Sequence, residues 1–195
     1  MNRHLYIVAS LALAACATAP SYDAIIRGGT VYDGAGAAGV AADVAIEGDR
    51  IAAVGDLGAA KAALEIDAAG KAVAPGFINV LSWATETLIE DGRGESDLLQ
   101  GVTLEVFGEG WSMGPVNDAM RAERLAQQGD IKFDIPWMTL GEYLEHLVAR
   151  GVSPNVASFV GATTVRIHEL GYEDRAPTAE ELARMQDLVR AAMRE

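Results

Sequence analysis

One cysteine, three histidines and 28 carboxylates are the residues of this chain with the most obvious chemistry. Among the acids, Glu109 stands apart, between Gly108 and Gly110 on the turn after the apolar run Val102–Phe107. Flanking glycines let the backbone approach a ligand closely, so this carboxylate reads either as a ligand-facing group or as a surface acid on a glycine-rich turn. Arg166 carries a planar fork that could grip a carboxylate at two points, or close an ion pair with one of the many acids. His168 is a lone histidine, a type more often packed or solvated than ligating. His146 follows Glu142 by four residues, the spacing of a solvated pair on a helix. Glu90-Asp91 and Glu95-Ser96-Asp97 fall near helix starts, where acids complement the dipole.

The thiol has a different setting. Arg3 and His4 precede an apolar run from Leu5 to Ala15, too short to span a bilayer but suited to a signal-peptide core. The run closes in Leu13-Ala14-Ala15-Cys16, a pattern similar to the bacterial lipobox, in which the cysteine is acylated. Residues 1–16 are therefore expected to be a lipoprotein signal ending at Cys16, with 17–21 as a tether. The other reading is an ordinary cleaved signal with an incidental cysteine near the cut. With one cysteine, no intramolecular disulfide can form in an oxidising compartment. Ala17, where an Asp would favour inner-membrane retention, points to the outer membrane, facing the periplasm.

The elements that would position these groups fall into two textures. Half the residues are hydrophobic and 22% charged, a globular profile. A net charge of −13 and a pI near 4.6 exclude nucleic acid as a partner, since phosphate binding needs clustered Lys and Arg. From 22 to 74, short alternating runs bounded by Gly and Asp predict a small antiparallel sheet. Beyond Pro75-Gly76, strands alternate with helical stretches, which argues for βα units and a parallel sheet over 75–195. Phe77–Leu81 reads as a strand buried on both faces, Val102–Phe107 as the second, and Val156–Val160 as the third, leading into Gly161–Arg166. Helices are expected over 96–100, 116–127 and 139–150. A last helix, with a Thr178–Glu181 capping box, is expected to run to Glu195. That helix has no stop signal, and about 120 residues after Pro75 are half of what a closed eight-stranded barrel needs. The chain is thus expected to be truncated, poorly folded and inactive by itself.

Three blocks in order resemble the amidohydrolase superfamily: Tyr22–Gly34, Asp43–Ile46 with Arg50–Gly55, and Ile66–Lys71 leading to Ala74–Ile78. Asn155–Gly161, Arg166 and Asp174–Thr178 are similar to its N-acyl-D-amino-acid deacylase branch. The resemblance implies an α/β fold, with the first strands of a metal-dependent hydrolase (β/α)8 barrel preceded by a small β-sandwich domain. It implies hydrolysis of linear amides, with an N-acylated amino acid as substrate, and zinc as cofactor, held as one tightly bound ion. The family's His-x-His at the end of the first strand is replaced by Leu81 and Trp83, and its loop Cys is absent. Glu109 is then the strong metal-ligand candidate at the second strand end. Ser112 matches a position near substrate, and Arg166 matches a substrate-binding Arg. Ala162 replaces the His of Gly-His-x-x-Leu-Arg. The catalytic residues are expected beyond Glu195. The alternative is a non-catalytic envelope lipoprotein that binds a peptide or glycan fragment.

Overall fold

The computed structural model describes residues 21–195, so the signal segment, Cys16 and nearly all of the tether lie outside the described residues. The chain divides at Pro75 into two units.

In the first unit, β1 (Ser21–Val31) is central, flanked by β2 (Val40–Glu47) and β4 (Lys61–Asp67), with β3 (Arg50–Gly55) outside β2. The expected all-antiparallel arrangement is corrected here. β1 pairs antiparallel with β2 but parallel with β4, and parallel again with the short β5 (Ala72–Val73). Short alternating runs define strands but not their partners. The 11 residues of β1 are long enough to serve β4 along one half and β5 along the other. Arg27 fastens the centre, reaching Asp43 of β2 and Glu65 of β4, each at 3.1 Å. Gly28 (φ +66°) lies within a register break between Ile26 and Gly29, and its N–H donates to Asp43 at 2.8 Å. Ile25, Ala45 and Ala60 form a small buried cluster. Among the described residues this unit is a single five-stranded sheet.

The second unit holds three parallel strands, β6 (Phe77–Asn79), β7 (Val102–Phe107) and β8 (Asn155–Ser158), in the order β6-β7-β8. Helices α1 (Thr87–Glu90), α2 (Glu95–Leu98), α3 (Asp118–Gln127), α4 (Leu140–Arg150), α5 (Ala162–Leu170) and α6 (Ala179–Ala192) surround them in sequence. Side chains start the longer helices. Asn117 accepts from Met120 N–H to open α3, and capping boxes at Thr139–Glu142 and Thr178–Glu181 open α4 and α6. The core lies between β7 and α4. Phe107, Trp137, Tyr143 and Leu147 are its largest apolar members, each at most 1% exposed. The Tyr143 hydroxyl donates to Thr85 O at 2.9 Å, and burial pushes this phenol's pKa up.

Three expectations fail in this unit. Phe77, Ile78, Val80 and Leu81 are exposed rather than buried on both faces, because β6 has β7 as its only paired strand among the described residues. The segment after β8 is not a continuation of that strand: Ala162–Leu170 is helix α5, started by Gly161, so Arg166 sits on a helix. The final helix ends at Ala192 instead of Glu195. Histidine 146 also departs from its reading. Glu142 spends its carboxylate on the backbone N–H groups of Met138 and Thr139, and His146 packs on Trp137 with ring centroids 5.1 Å apart.

Candidate active site at the strand ends

Parallel strands leave their carboxyl ends on one side of the sheet, and in α/β folds the turns there carry chemistry. The three ends here form a depression of about 550 Å³ lined by Val80 and Leu81 after β6, Gly108–Gly110 after β7, and Phe159, Val160 and Ala162 around the β8–α5 turn. Glu109 is the one acid in that lining, and it is exposed. Its glycine neighbours are required by geometry. Gly108 has φ +86°, and a Cβ there would stand 2.2 Å from Phe159 O and 2.6 Å from Ser158 Oγ. The ends of β7 and β8 can approach this closely only over glycine, and Gly110 (φ +77°) turns the chain back.

Below Glu109 the turn is knitted to α5. The buried Ser112 donates its N–H to Thr164 Oγ1 at 2.8 Å and its hydroxyl to Gly114 O, and the hydroxyl accepts from Gly161 N–H at 2.9 Å. The hydroxyl thus donates once and accepts once within the protein. Ser112 therefore holds the turn in place. Gly161 is equally constrained, since a Cβ there would meet Gly110 O at 2.5 Å and Ser112 N at 2.7 Å.

Arg166 lies elsewhere. It donates to the carbonyls of Glu173 and Arg175, both at 2.7 Å, and so straps down the turn after α5. It does not line the depression at Glu109. His168 pairs with Glu169 at 3.1 Å, and Glu169 also meets Arg184 at 2.6 Å, which makes that group a clasp between α5 and α6. Of the three site candidates described, the strand ends therefore bring Glu109 to the depression, with Ser112 beneath it and Arg166 apart.

One acid that the sequence left as ordinary is not. Glu105, in mid-β7, is 1% exposed; one oxygen accepts from Asn79 Nδ2 at 3.1 Å and the other has no partner. Asn79 in turn accepts from Leu81 N–H at 3.3 Å, so the pair braces the end of β6. A charged residue inside the apolar run Val102–Phe107 was the available signal.

Does the donor set suit a metal ion? Among the described residues, no three His, Cys, Asp or Glu side chains lie close enough together to hold one. Leu81 and Trp83 offer nothing at the β6 end, and Ala162 nothing after β8. Glu109 can serve as one ligand, but these residues do not complete a site.

The comparisons bear on what such a site belongs to. No protein-family model matches the chain. A D-aminoacylase from Alcaligenes xylosoxydans xylosoxydans is 36% identical over 176 residues, spanning 88% of this chain. The chain belongs to the D-aminoacylase family of amidohydrolases. It spans about a third of the length of the curated relatives it matches, 36% in this instance. The likeness extends to structure. N-acyl-D-glutamate deacylase from Bordetella bronchiseptica, solved with zinc and a phosphonate mimic of the tetrahedral intermediate, superposes with a TM-score of 0.77 at 34% identity over 89% of this chain and 36% of its own. A D-aminoacylase solved in a study of its binuclear metal centre gives the same TM-score at 38% identity and the same coverage. The described residues of this chain supply three parallel strands, with the glycine-flanked Glu109 at their ends.

Proposed function

We propose that the protein carrying this chain is a metal-dependent hydrolase of linear amides, acting on N-acyl-D-amino acids. The observation that carries this reading is the match along 88% of the chain to a D-aminoacylase, with Glu109 at the strand ends where such a barrel does its chemistry. We assign Glu109 as one ligand of a zinc ion, one tightly bound per chain, whose other ligands come from outside the described residues. A zinc ion bound there would polarise the acyl carbonyl and lower the pKa of water. The chain's own residues hold the geometry. Gly108 and Gly110 aim the Glu109 turn, Ser112 and Thr164 lock it to α5, and the Glu105–Asn79 brace fixes the end of β6. No described residue is assigned proton transfer.

The test is hydrolysis of N-acetyl-D-amino acids by the intact protein. Turnover should be abolished by a chelator and restored by zinc. Turnover that survives exhaustive chelation would sink the metal assignment. An intact, metal-loaded protein that binds such ligands without cleaving them would instead favour the non-catalytic binder; the deacylase names of the relatives speak against that outcome.

We also propose that Cys16 anchors the protein to the outer membrane, facing the periplasm, on the strength of Leu13-Ala14-Ala15-Cys16. The wild type should partition with membranes, and Cys16→Ala should release a soluble or unprocessed form. Soluble periplasmic wild type, cut at a site other than before Cys16, would refute the anchor.

A further inference from the structure

Glu105 is one partner short. Its side chain is 1% exposed, Oε2 accepts from Asn79 Nδ2 at 3.1 Å, and Oε1 has no partner among the described residues. A buried acceptor left unpaired costs free energy, and more when it belongs to an ionisable group. One neutral donor from Asn79 does not make up for the lost water. Glu105 also lines a cavity of about 220 Å³ between β7 and the α1–α2 segment, and Asn79 does not. The bonded oxygen is thus committed to the sheet, and the free one is left for the cavity.

The other walls are electrically one-sided. Asp91, Glu95 and Asp97 line the same cavity, beside Thr87 and Leu88 of α1. Arg93 pairs with Asp91 at 2.6 Å and with Glu95 at 3.1 Å. Asp97 forms no ion pair among the described residues, and the Ser96 hydroxyl donates to it at 3.1 Å. Four lining carboxylates therefore share one arginine, and no Lys, Arg or His stands in that lining among the described residues. The loop that carries the acids is held from behind. Ser153 N–H donates to Gly92 O at 2.8 Å, and a Cβ on Gly92 would stand 2.3 Å from Gly151 O. Only glycine permits that approach, which fixes the loop against the turn between α4 and β8.

The missing partner is a positively charged donor. A metal ion does not fit, because no three carboxylates converge closely enough among the described residues. An ammonium group needs no such shell. It gives its N–H bonds singly to separate acceptors, and a bond to a carboxylate is about twice as strong as a neutral one. The volume is below the roughly 300–1,000 Å³ of sites for drug-sized molecules, so the nitrogen has room for a few carbon atoms beside it, against Ala84 and Leu88.

We propose that this cavity holds a small ammonium cation whose N–H donates to Glu105 Oε1, with Asp97 supplying the second uncompensated charge. The cation is inorganic ammonium or the head of a short alkylamine. The cavity shares no residue with the depression at Glu109, and the site is independent of the deacylase reading.

Titration calorimetry on the intact protein at fixed ionic strength tests it. Each probe is compared with a cation of similar size that has no N–H: ammonium with potassium, and n-butylammonium with tetramethylammonium. At least one probe should bind about tenfold or more tighter than its counterpart, as charge-assisted hydrogen bonds require, and the one that does identifies the source. Glu105→Gln removes the charge and should bring that ratio to near one. If Glu105→Gln fails to fold, Asp97→Asn, at a partly exposed position, should weaken the same probe by about threefold or more through loss of Coulomb attraction. A wild type that binds neither probe, or binds each no better than its counterpart, has only water in the cavity and overturns the proposal. So does an unchanged ratio in a folded Glu105→Gln, or an Asp97→Asn variant that binds the probe as tightly as wild type.

Discussion

Replacing Glu109 by Gln should strip most of the metal from the intact protein and lower amide hydrolysis by at least about a hundredfold. The magnitude follows from position. Side chains that merely orient a metal ligand are worth about 10- to 100-fold in affinity or activity, so loss of a ligand should cost no less. Neighbouring groups offer no substitute, because the rest of the lining is aliphatic, aromatic or glycine. Gln keeps the size of the side chain and removes its charge, so the turn between Gly108 and Gly110 should keep its shape. Glu145→Gln, on the exposed side of α4, is the appropriate control. Glu105→Gln is not, despite lying four residues from Glu109: that carboxylate is buried and holds Asn79. Metal content measured beside turnover decides the matter. Full zinc occupancy and an undiminished rate in the Glu109 variant would make Glu109 an ordinary turn residue.

The largest stability effect is expected at Trp137. Its ring is 1% exposed, stacked on Phe133 at 6.3 Å and tilted against Tyr143 at 5.1 Å. Its indole N–H donates to Met113 O at 2.9 Å, so the same side chain ties the core to the turn that carries the site. Trp137→Ala removes the ring, opens a cavity and takes one donor from a carbonyl, for a cost of about 3–5 kcal/mol. In a unit of this size that is a fall of roughly 10–20 °C in thermal midpoint. Trp137→Phe should lose less, keeping most of the packing and giving up the hydrogen bond. Trp83→Ala, at an exposed ring, should stay within about 1 kcal/mol of wild type. Thermal melts of the three variants check this ordering. A Trp137→Ala midpoint within a few degrees of wild type would show that the Phe107–Trp137–Tyr143 cluster does not govern the unit's stability.

Much of the local structure was legible because it is written in short-range chemistry. The Thr178–Glu181 box marked the start of α6, and Val102–Phe107 was readable as a strand from its apolar run. The glycine-flanked Glu109 stood out for the same reason: left-handed turns and close backbone approaches need glycine, and the need shows in the sequence. Pairing between distant segments was a different matter. Nothing in Lys61–Asp67 says that it lies parallel to β1, and no periodicity distinguishes Gly161–Arg166 as the start of a helix rather than the end of a strand. Burial is decided the same way. Phe77–Leu81 has the composition of a fully covered strand but is exposed, while Glu105 has the charge of a surface residue but is buried against Asn79. The arginines show the same dependence: Arg166 straps its own turn, and Arg124, an ordinary cation on a helix in sequence, lines a cavity with Trp83 and Trp111 from other turns. Hydrogen-bond geometry and cavity walls depend on which segments meet across the fold, and a single sequence fixes caps, turns and strand character long before it fixes those meetings.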